Sequence, residues 1–245
     1  MKATPQMQAR LLELVELDTT LAQLAHRLRS LPELTDIARL EQAEPALEED
    51  VVRAQTELSD ISREVERAEA AVQLVRDRAA RNQQRLDAGT GSPKDLQGLQ
   101  HELESLARRQ GVLEEEELDA MERAEEAEAA EATALAARQA HRERLAELQA
   151  ERDRKSGEIA AEHEQVAGGR EAISADLSEE LLALYERLRA HSGTGAAPLQ
   201  QRRCGGCRLE LNAVDLGRIK AAPEDEVLRC EECGRILVRT PEAGL

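Results

Sequence analysis

Between Leu40 and Leu86 the chain sets a core-type residue alternately three and four positions apart, through Leu47, Val51, Ala54, Leu58, Ile61, Val65, Ala68, Val72, Val75 and Ala79. That is the a/d seam of a coiled coil, with charges on the remaining faces. A helix carrying such a seam must bury it against another helix, so the chain is committed to helix pairing. The first 31 residues keep the same rhythm through Leu14, Leu17, Leu21, Leu24, Leu28 and Leu31. Pro32 lacks a backbone donor and predicts a break near residues 30–34.

The stretch Asp87-Ala-Gly-Thr-Gly-Ser-Pro93 is the strongest turn signal in the chain. Gly89 can end one helix in a left-handed conformation, Ser92 can cap the next, and Pro93 suits its first position. The seam resumes at Leu96, Leu99, Leu103, Leu106, Gln110 and Leu113, thins to Ala120, Ala124, Ala127 and Ala134, and returns at Leu145, Leu148, Ile159 and Val166. So short a turn makes the arms antiparallel neighbours. Residues 33–87 alone would span about 80 Å. Gly168-Gly169 is expected to close the second arm, and Asp176-x-x-Glu179 resembles a capping box opening a short helix over 177–189. Its Leu181, Leu184, Tyr185 and Leu188 need an apolar partner, which the second stripe Leu11, Leu12 and Val15 offers; that stripe would equally serve a dimer.

All four cysteines lie near the C-terminus as Cys204-x-x-Cys207 and Cys230-x-x-Cys233, separated by 22 residues from Arg208 to Arg229. Two CxxC pairs at this spacing are the pattern of a four-thiolate structural zinc site. A module this small cannot bury enough apolar surface to fold alone, so the metal supplies folding energy. Gly205, Gly206 and Gly234 are expected to adopt positive φ in the turns, and Arg235–Arg239 reads as a strand after a glycine turn. Paired disulfides would need an oxidising compartment, and MKATPQMQAR shows no apolar signal segment. The expectation is a reduced, cytoplasmic protein holding one Zn2+.

The fold class is therefore mainly α: a long antiparallel coiled-coil helical hairpin over residues 1–191, a hinge over 192–197 (Ser192-Gly193-Thr194-Gly195 at its start), and a small C-terminal β zinc ribbon over 198–240. Tyr185 is the one aromatic residue, as expected of long helices rather than a globular core. Net charge is −17 and unevenly placed: residues 1–195 hold 25 of the basic and 42 of the acidic residues. Such a body repels nucleic acid and anionic membrane, and no apolar run is long enough to span a bilayer. The acidic run from Glu114 reads as a solvated helix face. Asn82, Gln110, Glu117 and Arg138 at seam positions read as register devices. His26, His101, His141, His163 and His191 share no helical face and read as solvent-exposed.

Several motifs carry a resemblance: Leu11-Leu-Glu-Leu with Leu17-Asp18 and Leu31-Pro32; Lys94-Asp-Leu96 followed by Leu99; Tyr185-x-x-Leu188; Cys204-x-Gly-Cys207; and Cys233-Gly-Arg-Ile-Leu237. On these the chain resembles the bacterial coiled-coil proteins with a C-terminal C4-type zinc ribbon, a family long classed as a domain of unknown function. The resemblance implies a long antiparallel hairpin with the ribbon near its open end. It also implies a binder that tethers nucleic acid or large assemblies, since members are linked to flagellar gene control through an alternative sigma factor and messenger RNA, and to secretion-apparatus components. The turn Gly89-Thr-Gly-Ser-Pro departs from the more polar, Asn- and Lys-containing turn of that family, so contacts made through the tip are not carried over.

Two functions follow as expectations. The first is an adapter whose ribbon binds the RNA or DNA backbone, or the transcription machinery, while the hairpin holds a protein. It rests on Arg202, Arg203, Arg208, Arg218, Lys220, Arg229, Arg235 and Arg239, eight cations on a small domain, against seven acids and no stacking aromatics. The alternative is a purely protein-binding scaffold or chaperone-like tether for a large assembly such as a secretion or flagellar apparatus, which better suits the acidity of residues 1–195. Four cysteine ligands leave no open zinc position, and no Ser/His/Asp set or phosphate-cradling loop is present, so no enzyme, small-molecule substrate or membrane partner is expected.

Overall fold

The computed structural model describes all 245 residues, and the chain divides into two compact units, Thr35–Gln149 and Met1–Leu34 with Ala150–Leu245. Two long helices, α2 (Pro32–Asp87) and α3 (Pro93–Ala175), account for most residues of the former.

In the unit Thr35–Gln149 the seam residues from Leu40 to Leu86 are all buried or half-buried, with Val51 and Val72 each 1% exposed. Leu99, Leu113, Ala120 and Ala127 are buried on the opposing arm. Ion pairs cross between the arms at Glu44–Arg142 (3.1 Å), Glu48–Arg138 (3.1 Å), Glu64–Arg123 (2.7 Å) and Arg76–Glu114 (2.6 Å). As one number rises its partner's falls, which is the antiparallel register. Exposed pairs of this kind contribute about 0–1 kcal/mol each, so the seam carries the stability and the charges select the alignment. Arg138 reaches both oxygens of Glu48, and Asn82 is buried with its Nδ2 unpartnered. Glu114, engaged by Gln110 and Arg76, is held below the usual carboxylate range.

His141 is an exception to the expected exposure. It is half-buried, and its Nε2 lies 3.0 Å from the Leu40 carbonyl oxygen. Pro45 sits inside α2 and removes one N–H from the helical ladder, yet the helix runs through it without a break. The turn forms as its residues dictate: Gly89 has φ +61°, and Asp95 accepts from the Ser92 N–H (3.0 Å) and hydroxyl (2.7 Å).

The other unit is built on α1 (Pro5–Arg29), capped by the Thr4 hydroxyl, which accepts from Met7 N at 3.2 Å. The helix ends at Ser30, and α2 begins at Pro32. Leu28, expected in the seam, is exposed, whereas Leu24 and Leu31 are buried. Helix α3 does not stop at Gly168-Gly169 but runs on to Ala175. Ile173, beyond the two glycines, packs against the core of this unit, and such packing outweighs the roughly 1 kcal/mol penalty of each helical glycine. The short helix α4 (Glu179–Ser192) has Ser178 at its N-cap with no side-chain bond, so the expected capping box is not made; Asp176 pairs instead with Arg10 at 3.4 Å.

The stripe Leu11, Leu12 and Val15 does meet α4. Leu11, Leu14, Leu177, Leu181, Leu184 and Tyr185 form one core with Ala3. A four-stranded sheet, ordered β2-β1-β4-β3, adjoins it: β1 (Ala196–Gln200), β2 (Arg203–Cys204), β3 (Leu228–Arg229) and β4 (Ile236–Arg239). Strands β1 and β4 pair in parallel, and the outer pairs are antiparallel. Successive strand residues point to opposite faces, so β4 serves two cores. Ile236 and Val238 join the core made by α1 and α4, whereas Leu237 joins Ala197, Leu199, Leu211, Leu216, Ile219 and Leu228 in the ribbon core.

The segment expected as a hinge therefore does not act as a free linker. Ala196 and Ala197 are each 2% exposed in β1, and the Arg235 guanidinium donates to Ser192 O (2.6 Å) and Thr194 Oγ1 (2.8 Å). The N-terminal residues pair with the ribbon as well: Ala3 N donates to Asp225 O (2.8 Å), and the buried Gln8 amide donates to Ala3 O (2.9 Å) and Glu224 O (3.0 Å).

Candidate metal centre

The sulfurs of Cys204, Cys207, Cys230 and Cys233 all lie within 4.8 Å of one another. Cys204 and Cys233 are 3.8 Å apart, and Cys207 and Cys230 3.9 Å. Four ligands at a Zn–S distance of about 2.3 Å place tetrahedral corners about 3.8 Å apart, so the donor set fits one structural zinc. With four thiolates no coordination position is left open. A zinc ion here would cross-link two turns that also pack into one apolar core with Leu199, Leu211 and Leu237.

Each turn is a repeated local structure. Gly206 and Cys207 donate backbone N–H groups to the Cys204 sulfur, and Glu232 and Cys233 do the same for Cys230. The fifth residue closes each turn: Arg208 N donates to Cys204 O (2.7 Å) and Gly234 N to Cys230 O (2.8 Å). That position is left-handed in both, with φ +64° at Arg208 and +74° at Gly234. Glycine takes this conformation freely, whereas an L-residue loses about 1–2 kcal/mol. Gly205 and Gly206, expected to have positive φ, do not. They are glycines for space: a Cβ on Gly205 would lie 2.8 Å from Pro198 Cγ, and one on Gly206 2.8 Å from Arg235 Cδ.

Burial pushes the Cys230 thiol up to about 12 and also raises Cys204. Burial opposes ionisation of Cys233 too, but there the Arg235 main-chain N–H and side chain prevail and bring it down to about 7. Metal loading consequently releases protons from thiols that would otherwise stay neutral.

The spacer between the pairs contains a helix that the cysteine pattern does not disclose, α5 (Ala213–Ala221). Its signal is local: Asn212 Oδ1 accepts from Asp215 N (2.8 Å), and Leu216 and Ile219 are spaced to bury one face.

The eight basic residues do not form one patch. Arg239 donates to the carbonyls of Ala222 (3.0 Å), Pro223 (2.7 Å) and Glu224 (2.9 Å). Arg235 is bound at residues 192–194 as described, Arg229 donates to Gly234 O (2.8 Å), and Arg218 pairs with Glu231 (2.5 Å). Lys220 stands apart on α5. Arg202, Arg203 and Arg208 remain exposed beside the first cysteine turn.

A polar cluster missed by the seam analysis lies in the same unit. Asp18 is 3% exposed, and it accepts from Arg170 Nε (2.6 Å) and from the hydroxyl of the fully buried Tyr185 (2.7 Å). Arg189 Nε lies 3.2 Å away, and Glu186 pairs with both arginines. Burial, reinforced by the Asp18 hydrogen bond, raises the Tyr185 phenol well above its ordinary range. The usable sequence signal was an acid beside a seam leucine opposite the only aromatic residue.

Residues 14–193 match the CT398-like coiled coil hairpin domain, and residues 203–237 match the C4-type zinc ribbon domain. An uncharacterized protein of Mycobacterium tuberculosis is 40% identical over 239 residues, covering 98% of each chain. One from Mycobacterium leprae is 29% identical over 221 residues, 90% of this chain and 95% of that one. A solved structure from Mycobacterium smegmatis superposes with TM-score 0.78 at 37% identity, over 98% of this chain and 100% of that one. CT398 from Chlamydia trachomatis gives TM-score 0.58 at 18% identity over 96% and 98%, a likeness of fold alone. No helix is long and apolar enough to cross a membrane. With a helical hairpin and a clustered four-cysteine ribbon both in place, the chain belongs to the CT398-like coiled-coil hairpin family that carries a C-terminal C4-type zinc ribbon.

Proposed function

We propose that the chain is a non-enzymatic adapter that binds protein, with the zinc ribbon as a fixed docking platform at the base of helices α1 and α4. The observation that carries this reading is the fate of the ribbon's cations. Arg235 and Arg239 are half-buried and donate to backbone carbonyls, the exposed Arg229 donates to Gly234 O, and Arg218 is paired with Glu231 at the surface, so the charge left to attract a long polyanion is small. Salt-dependent affinity for nucleic acid scales with the number of phosphates neutralised. Four ribbon cations, Arg202, Arg203, Arg208 and Lys220, are left without a hydrogen-bonded partner, and so few support only weak attraction. Stacking is unsupported as well, because the single aromatic side chain is fully buried.

Those four cations are also what favours the second reading, an adapter for RNA or DNA backbone. Two measurements separate the readings. Titration of the full zinc-loaded chain with single-stranded RNA and duplex DNA at low salt should give no saturable binding. Cross-linking in the source cell, followed by nuclease treatment of the captured material, should leave protein partners attached. Saturable low-salt binding to either nucleic acid, together with loss of the captured partners on nuclease treatment, would reverse the assignment.

A further inference from the structure

The 245 residues contain three non-glycine positions with positive φ, Gln201 (φ +48°), Arg202 (+66°) and Arg208 (+64°), and Gln201 and Arg208 line one groove with Arg202 next to them in the chain. Gln201 and Arg202 form the two-residue connection between β1 and β2, a turn whose twist calls for positive φ at both positions and favours Asn-Gly. Arg208 occupies the place that Gly234 fills in the other cysteine turn. The fold therefore asks for small turn residues at three neighbouring sites and carries long polar side chains there instead. Left-handed strain of this kind clusters where side chains are held for recognition.

The groove, about 390 Å³, is lined by Gln200, Gln201, Arg203, Arg208 and Glu242 along with the first cysteine turn. Neither Arg202 nor Arg208 has a carboxylate partner, and Arg203 has only Glu210 at 3.9 Å with both side chains largely exposed. Leu209, adjacent to Arg208, is a large apolar side chain 52% exposed. Resting on the adapter reading above, we propose that Arg202, Arg203 and Arg208 form a docking site for a short acidic segment of a partner protein that also presents an apolar residue to Leu209. Unpaired guanidinium groups match carboxylates in bidentate geometry. Leu209 gives an acidic-apolar peptide a contact that a phosphodiester chain does not use.

The test is fluorescence anisotropy with the full zinc-loaded chain and a short labelled peptide of Glu, Asp and Leu, with a single-stranded RNA of equal charge as competitor. The peptide should bind saturably, and the RNA should fail to displace it at equal concentration. Arg203→Glu with Arg208→Glu should weaken the peptide about tenfold or more, because both attraction and sign are reversed. Lys220→Glu, away from the groove, should leave binding unchanged. Arg208→Gly is the sharpest variant: it should raise the urea midpoint by relieving the left-handed strain while weakening the peptide about threefold. No peptide binding by the native chain, equal binding by the charge-reversed chain, or displacement by the RNA would overturn the site. If the charge-reversed chain still captures its cellular protein partners, the adapter reading stands and this surface alone is dismissed.

Discussion

Replacing Asp18 by alanine tests whether the buried polar cluster at the base holds α1, α3 and α4 together. Tyr185 is fully buried and its hydroxyl donates to Asp18 alone, so truncation leaves that hydroxyl unsatisfied, which costs about 1–3 kcal/mol. Arg170 loses one charge-assisted bond but keeps Glu186; its side chain is 21% exposed, so water offsets part of the loss and about 1 kcal/mol remains. Arg189 is 35% exposed and screened, and adds little. The expected destabilisation is about 3 kcal/mol, at the lower edge of the ~3–5 kcal/mol seen when one member of a buried ion pair is removed. Asp18→Asn retains an acceptor for the phenol and should lose roughly half as much. Tyr185→Phe leaves Asp18 with its two arginines and should cost about 1 kcal/mol. Urea unfolding followed by far-UV circular dichroism across the four chains of the Asp18/Tyr185 cycle should give a coupling of about 1–2 kcal/mol. Because Tyr185 is the only aromatic residue, its fluorescence in the Asp18→Ala chain reports this core by itself. An Asp18→Ala chain within about 0.5 kcal/mol of wild type would show that the cluster is ornamental to stability and refute the burial argument.

Three further outcomes are expected. Chelation of zinc should unfold the ribbon and also alter Tyr185 fluorescence, since Ala196, Ile236 and Val238 line the same core as Tyr185; an unchanged tyrosine signal would mean that the two cores are independent. Gly205→Ala, whose Cβ would meet Pro198 Cγ at 2.8 Å and its carbonyl oxygen at 3.0 Å, should destabilise the ribbon by about 1–3 kcal/mol and speed zinc loss to a competing chelator, with helix content unchanged. Raising pH should reveal the Tyr185 phenol only on unfolding: its folded pKa is raised, so the stability it contributes is complete below the unfolded value of about 10 and is lost as pH climbs above it. Phenolate absorbance appearing ahead of the loss of helical signal would contradict that placement.

What the sequence made legible was what repeats. A seam held through Val51, Ile61 and Val72 specifies a buried stripe over many turns, and no single residue can mask it. Paired cysteines are equally readable, because the metal needs four thiolates whatever surrounds them. Features fixed by one tertiary contact were not legible. Gly168-Gly169 reads as a stop until Ile173 is seen packed beyond it. Asp18 reads as a solvated neighbour of the seam until Tyr185 and Arg170 are brought onto it. The eight cations read as a patch because sequence gives charge without direction; the carbonyls that occupy Arg235 and Arg239 come from residues 192–194 and 222–226.

The run Ile236-Leu237-Val238 holds the clearest physical lesson for function. A strand of an isolated ribbon with one face in water would alternate apolar and polar residues; a strand apolar on consecutive positions has both faces covered. The second cover is the core of α1 and α4, and that core is completed only when the strand is in place. Fully burying an Ile or Val is worth about 1.5–3 kcal/mol, so Ile236 and Val238 together exchange stability between base and ribbon on a scale comparable with that of a small domain. Zinc therefore organises more than the loops it holds: by fixing β3 and β4 it presents a finished apolar face to the helices. A partner docked on the first cysteine turn consequently bears on a surface continuous with the helix base, and binding there should slow local opening of β1 and β4. Hydrogen exchange of the Leu237 and Val238 amides, with and without the acidic peptide, measures that coupling directly.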